Sequence, residues 1–92
     1  MILKAFSLYD TKTGIYGTPF FMAHIGQAVR AIIDLAQDAN TTIGRHPADY
    51  MLYQLGDFDD AVGMFDHLNP VAIGSVVSML PRPQPALFEQ EA

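Results

Sequence analysis

The residues that could hold a metal or activate a substrate in this 92-residue chain are histidines and aspartates. His24, His46 and His67 could each join an aspartate, but no pair has the HExxH or calcium-loop spacing that fixes ligand geometry. We therefore predict no metal site and no cofactor. The segment 45–59 is rich in His, Asp and aromatic residues, and it is better explained as a turn, a strand and the start of a hairpin.

Covalent or acid–base catalysis has equally little support in the sequence. Ser7, Ser75 and Ser78 lie in apolar contexts without the nucleophile-elbow pattern, and the sequence contains no glycine-rich phosphate loop. Any of the aspartates could act in acid–base catalysis, and nothing favours one pair over another. We predict no catalytic residue and a protein that is not an enzyme.

Contact with nucleic acid is the third chemistry to consider, because cations neutralise phosphates and aromatic rings stack on unpaired bases. Ten acidic and five basic side chains give a net charge of −5, which disfavours nonspecific binding to DNA. The alternative is that most cations are solvated and most aromatic rings belong to the core. If DNA is bound, the candidate contact residues are Lys4, Lys12, Arg30, Arg45, His46 and Tyr16.

The first part of the chain has the pattern of a β-hairpin. Residues 3–9 are predicted to form a strand, and the loop that follows ends at Gly14, which can adopt a positive φ. Residues 15–22 would form the return strand. Because Pro19 has no N–H to donate, that strand is expected to lie at a sheet edge or to end near this proline.

Apolar residues at helical spacing predict the main helix over 24–38, followed by a polar loop. Pro47 and Asp49 are typical of a short helical turn. Residues 50–55 then predict a central strand, because both of its faces are apolar. Residues 64–68 are expected to pair back antiparallel after a second hairpin loop that ends in a glycine.

The segment 71–80 is compatible with either helix or strand. Its apolar residues match a helical stripe, which gives helix a slight preference, whereas its valines favour a strand. The proline-rich residues 81–92 are expected to form a flexible tail after a single domain at 1–80. The predicted fold class is α+β, with an antiparallel sheet of about four strands packed against one main helix and a short second helix.

The sequence contains no cysteine, no signal-peptide pattern and no apolar run of membrane-spanning length. The lack of cysteine fits a reducing cytosol, and we expect neither a signal peptide nor a membrane partner. A chain this short is expected to leave the apolar segment 71–80 or its edge strand uncovered, so a homodimer through one of them is the favoured assembly. Such a dimer could gather Lys4, Lys12 and Arg30 from both copies into a positive patch.

Short motifs are spread in a defined order over residues 6–63. They are Phe6-Ser7-Leu8-Tyr9-Asp10 with Lys12, Tyr16, Pro19-Phe20-Phe21, Ala28, Arg30, His46-Pro47-x-Asp49-Tyr50-x-Leu52, Gly56-x-Phe58-Asp59 and Gly63. In order and spacing, these motifs resemble the small nonstructural protein of gokushovirus-type Microviridae, which are icosahedral bacteriophages with single-stranded DNA.

The resemblance implies a noncatalytic, nonstructural phage accessory protein of the host cytoplasm. It would act in viral single-stranded DNA synthesis or in the switch to genome packaging, through viral replication or capsid proteins, with weak DNA binding as a further expectation. The acidic charge and the ending Glu89-Gln90-Glu91-Ala92 depart from the family pattern and argue against direct DNA binding. The alternative is a structural or assembly protein that self-associates and binds capsid or replication proteins.

Overall fold

The computed structural model describes residues 1–81, except for the side chains of residues 67 and 68. Its strands are β1 (Ile2–Asp10), β2 (Ile15–Tyr16), β3 (Phe20–Met22), β4 (Tyr50–Asp59) and β5 (Met64–Ser75). Its helices are α1 (Ile25–Ala36), α2 (Thr42–Arg45) and α3 (Val76–Met79), with a 3-10 turn at Pro47–Asp49. No helix within the described residues is long and apolar enough to cross a membrane.

The strands form one antiparallel sheet in the order β2, β1, β4 and β5, and β3 also pairs with β1. Tyr16 of β2 pairs with Tyr9, and Phe20 of β3 pairs with Phe6, so both short strands lie along the same edge of β1. They are the two halves of the predicted return strand, which is interrupted around Pro19 because proline cannot donate to the ladder. The predicted α+β class, with a sheet on one main helix, is confirmed.

Helix α1 matches the main helix predicted over 24–38 to within two residues at its C-terminal end. The backbone N–H of His24 donates to the side-chain oxygen of Gln27 at 3.2 Å and so closes the helix start. The buried face of α1 packs on the sheet and on the short helices. The core therefore comprises Phe6, Ala28, Ile32, Ala36, Ile43, Leu52 and Val76.

The hairpin of β4 and β5 is longer than the sequence predicted. Strand β4 is central, as expected, but it continues to Asp59. Strand β5 continues to Ser75 because residues 68–70 bulge out opposite Leu55, which accommodates the proline at position 70. The slight preference for helix over 71–80 is correct only for the single turn of α3.

The two predicted hairpin turns are confirmed, whereas the predicted polar loop is partly helical. Gly14 and Gly63 have φ angles of 71° and 69°, which confirms both predicted hairpin turns. The polar loop predicted before Arg45 contains helix α2, because the Thr41 side chain accepts a hydrogen bond from the Gly44 amide at 2.9 Å. The predicted flexible tail lies outside the described residues from position 82 onward.

Candidate nucleic-acid interface

The two faces of the sheet have different surroundings. Phe6 and Leu52 point to the face on which α1 packs, and every buried residue of the described helices belongs to that same core. Because side chains alternate along a strand, Ser7 and Tyr9 of β1 point to the opposite face. We call this opposite face, which no described helix covers, the open face.

Three tyrosine rings form a cluster on the open face, which we call the tyrosine cluster. The centroid of the Tyr9 ring lies 4.7 Å from that of Tyr16 and 5.8 Å from that of Tyr53. The Tyr16 and Tyr53 rings meet edge-on, with centroids 5.4 Å apart. The cluster thus joins β2, β1 and β4 across the sheet, and the Tyr16 side chain is 40% exposed.

Three phenylalanine rings form a second group, the phenylalanine cluster, nearer the β4–β5 turn. The Phe58 ring lies 4.7 Å from that of Phe65 and 5.8 Å from that of Phe21. Phe65 is 65% exposed, and Val62 in the adjoining turn is similarly exposed. This end of the open face is therefore an uncovered apolar surface.

Small residues of β1 lie between the two clusters. Ala5 pairs with Phe21, and Ser7 pairs with Tyr53. Both are buried, and the Ser7 hydroxyl donates a hydrogen bond of 2.7 Å to the carbonyl of Gly17. That bond fixes the chain between the two short edge strands, so it holds β2 and its Tyr16 ring in place.

Charge is distributed unevenly between the two ends of the sheet. The strands of the phenylalanine cluster carry Asp57, Asp59 and Asp66, and Asp57 pairs with Asp66 across β4 and β5. In the adjoining turn, Asp60 accepts a hydrogen bond of 2.6 Å from the Met1 ammonium, which raises the pKa of that amino group. The end with the phenylalanine cluster is therefore rich in carboxylates.

The tyrosine cluster lies at the other end, next to the turn that joins β1 and β2. Lys12 is exposed in this turn. The carboxylate of Asp10 accepts hydrogen bonds from the backbone N–H groups of Lys12 and Thr13 at 2.9 and 3.4 Å. The negative charge nearest to Lys12 in sequence is thus already engaged by backbone donors.

The structure brings together only some of the candidate contact residues. Tyr16 belongs to the tyrosine cluster, and Lys12 lies in the turn beside it. Arg45 and His46 directly precede the 3-10 turn Pro47–Asp49. The Thr11 backbone N–H donates to the Asp49 carbonyl at 2.8 Å, so both residues lie at the same end of the sheet.

The other two candidates lie elsewhere. Arg30 is on the exposed side of α1, beside Asp34 and away from the open face. Lys4 pairs with Asp57 toward the carboxylate-rich end, on the same side of β1 as Phe6. These two cations therefore do not join Tyr16 in one patch within a single chain.

The list of candidate residues omitted most of the aromatic residues on the open face. The residues that complete the two clusters are Tyr9, Tyr53, Phe21, Phe58 and Phe65. The alternation of β1 could have placed Tyr9 on the face opposite Phe6. Its partner Tyr53 comes from a strand distant in sequence, so their meeting depends on the register of the sheet.

The tyrosine cluster changes the acidity of one phenol. Loss of water around Tyr16, followed by the nearby phenols of Tyr53 and Tyr9, raises the pKa of Tyr16 above its ordinary value of 10.0. The phenol therefore remains a neutral hydrogen-bond donor throughout the physiological range.

Other features of the described residues offer fewer groups for binding or catalysis. No group of three or more His, Asp or Glu side chains that could hold a metal is found within them. A groove of ≈ 420 Å³ lies between α1 and the sheet edge, and it is lined mainly by apolar residues such as Leu8, Phe20 and Leu35. It contains no charged side chain.

A comparison with known protein families gives one match. The model of the family described as Phage ORF5 protein matches residues 3–79 of the 92-residue chain. No curated protein and no solved structure matches the chain. The matched range includes β1 from its second residue onward, β2 to β5 and both aromatic clusters.

Proposed function

Since the chain belongs to the Phage ORF5 protein family, we propose that it is a noncatalytic, nonstructural accessory protein of a single-stranded DNA phage. It acts in the host cytoplasm, in viral single-stranded DNA synthesis or in the switch to genome packaging. It works through replication or capsid proteins and binds single-stranded DNA weakly. The resemblance to the gokushovirus protein supports the viral setting.

The observation that supports the DNA-binding part is the aromatic character of the open face. A sheet that leaves one face to solvent normally places polar side chains there. Here that face presents the tyrosine cluster, in which Tyr16 is 40% exposed. Exposed rings on a sheet can stack on unpaired bases, whatever the base sequence.

The charge of the chain determines how strong such binding can be. Each phosphate neutralised on a single strand contributes about −0.7 to the slope of log K against log salt. The net charge is −5, and within the described residues Lys12 is the lysine or arginine in the turn beside the open-face tyrosines, so few phosphates can be neutralised. Binding is therefore weak, depends mainly on stacking and has a shallow salt dependence.

Tyrosine fluorescence tests this proposal directly, because the chain contains four tyrosines and no tryptophan. Oligothymidylate added at low salt should quench the emission saturably, since bases stack on the tyrosine rings. A duplex of equal nucleotide concentration should quench much less, because its bases are already stacked. Absence of any saturable quenching or other binding signal at low salt would remove DNA from the proposed function.

The phenylalanine cluster favours a second candidate, a self-associating assembly protein that contacts capsid or replication proteins. Exposed rings and neighbouring apolar residues suit an isologous contact between two copies. Phe65→Ser should then shift a dimer to monomer in size-exclusion chromatography with light scattering. Leu35→Ser is the matched control, because Leu35 is 41% exposed on α1, away from the cluster.

Mass spectrometry of purified virions separates the two candidates. An accessory protein of replication should be absent from the particle or present only in traces. Stoichiometric amounts would contradict the nonstructural role and favour assembly. The two measurements are independent, because a dimer can serve either function.

A further inference from the structure

We infer that the tyrosine cluster formed by Tyr9, Tyr16 and Tyr53 is the base-stacking site for single-stranded DNA, whereas the phenylalanine cluster does not contact DNA. This inference rests on the proposed function and adds the position of the site. The two clusters share one face and differ in their charge environment and polar atoms. We assign base stacking to the tyrosine cluster because of those two differences.

The first difference is charge. Lys12 lies in the turn between the two strands that carry Tyr9 and Tyr16, so a strand stacked there has a cation available for its phosphate. The phenylalanine cluster has no lysine or arginine on its own face within the described residues, because Lys4 points to the opposite face. Asp57, Asp59 and Asp66 alternate with Phe58 and Phe65 and so also point to that opposite face, from which they add a negative field at this end of the sheet.

The second difference is the phenol groups. Each phenol can donate and accept hydrogen bonds, so a ring that stacks on one base can also bond the edge of a neighbouring base or a phosphate oxygen. Phenylalanine offers only its ring. The Tyr16 and Tyr53 rings stand at 81° to each other, so a base stacked on one of them meets the edge of the other.

The position of Tyr16 suits such a site. It lies on the two-residue edge strand β2, and its side chain is 40% exposed while still touching Tyr9 and Tyr53. The Ser7 hydroxyl bond to Gly17 anchors the chain directly after it. Tyr16 is thus both accessible and held in place, which lowers the ordering cost of binding.

The test compares matched aromatic-to-leucine variants with a fluorescein-labelled oligothymidylate of about 16 nucleotides, the upper site size of many single-strand binders. Tyr16→Leu should weaken binding by about 5-fold to 150-fold, the range for loss of one stacked base. Phe65→Leu, in the other cluster, should leave the Kd unchanged. Tyr16→Phe retains the ring and loses only the hydrogen bonds of the phenol, so its affinity should lie between those of Tyr16→Leu and the wild type.

The outcomes distinguish this inference from the proposed function. If the wild-type chain binds and Tyr16→Leu binds equally well, the assignment of the site is wrong while DNA binding stands. If Phe65→Leu weakens binding as much as Tyr16→Leu, the restriction to the tyrosine cluster is wrong. If the wild type does not bind at low salt, both are wrong. Circular dichroism melting of each variant checks that the fold is retained.

Discussion

The rings of Tyr16 and Tyr53 meet edge-on at 5.4 Å, although β2 and β4 are not neighbours in the sheet. Strand β1 runs between them and presents the buried Ser7, which pairs with Tyr53. A larger residue than serine at this position would separate the rings. The open face therefore depends on the small side chains of β1 as much as on the aromatic residues.

Because Leu52 lies in the core between the sheet and α1, shortening its side chain should strongly destabilise the fold. This side chain is fully buried among Phe6 and the α1 residues. Leu52→Ala should lower the free energy of unfolding by about 2–5 kcal/mol, measured by urea denaturation with circular dichroism. Val62→Ala, at a side chain that is 64% exposed, is the control and should change stability by less than about 0.5 kcal/mol.

Two glycines in helices predict opposite responses to alanine. A Cβ at Gly44 would overlap the carbonyl group of Asp38, so Gly44→Ala should destabilise the chain by about 1–3 kcal/mol. At Gly26, in the first turn of α1, a Cβ meets nothing within 4 Å. Gly26→Ala should therefore be neutral or stabilising by up to about 1 kcal/mol.

Thermal and urea unfolding of the two alanine variants tests that contrast. Equal loss of stability in both would show that the packing around α2 does not exclude a Cβ at position 44. Both variants replace a helical glycine by alanine. The difference between their free energies of unfolding therefore reports the local environment rather than intrinsic helix propensity.

The raised pKa of Tyr16 predicts an alkaline signature. Ultraviolet titration of the phenolate should show that Tyr16 ionises above 10.0, and the Tyr16→Phe variant should lack this step. Because the folded pKa exceeds the unfolded one, this group stabilises the fold fully below pH about 10, and the contribution is lost as pH rises through the folded pKa. A Tyr16 step at or below 10.0 would contradict the desolvation of this phenol.

Much of the fold was predictable because local chemistry decides it. The spacing of Ala28, Ile32 and Ala36 gave the helix, and Gly14 and Gly63 marked the turns with positive φ. Helix α2 was missed because its four residues depend on the cap by Thr41 and on burial of Ile43. Neither is visible as periodicity in so short a segment.

The long β5 and the aromatic clusters were harder to predict for a different reason. The proline at position 70 is tolerated through a bulge whose presence depends on the register with β4. The same register brings Phe58 to Phe65, and the register of β1 with β4 places Tyr53 beside Tyr9. The sequence identified Tyr16 as a candidate, and the pairing of distant strands determines which residues surround it.

Nuclear magnetic resonance mapping of DNA contact on the 15N-labelled chain tests the central claim most directly. As unlabelled oligothymidylate is added at low salt, we predict saturable shifts concentrated at Tyr9, Tyr16 and Tyr53 and at the turn that contains Lys12. The exposed side of α1 around Arg30 should remain unchanged. Shifts confined to α1, or no shifts at saturating oligonucleotide, would contradict a DNA-binding open face.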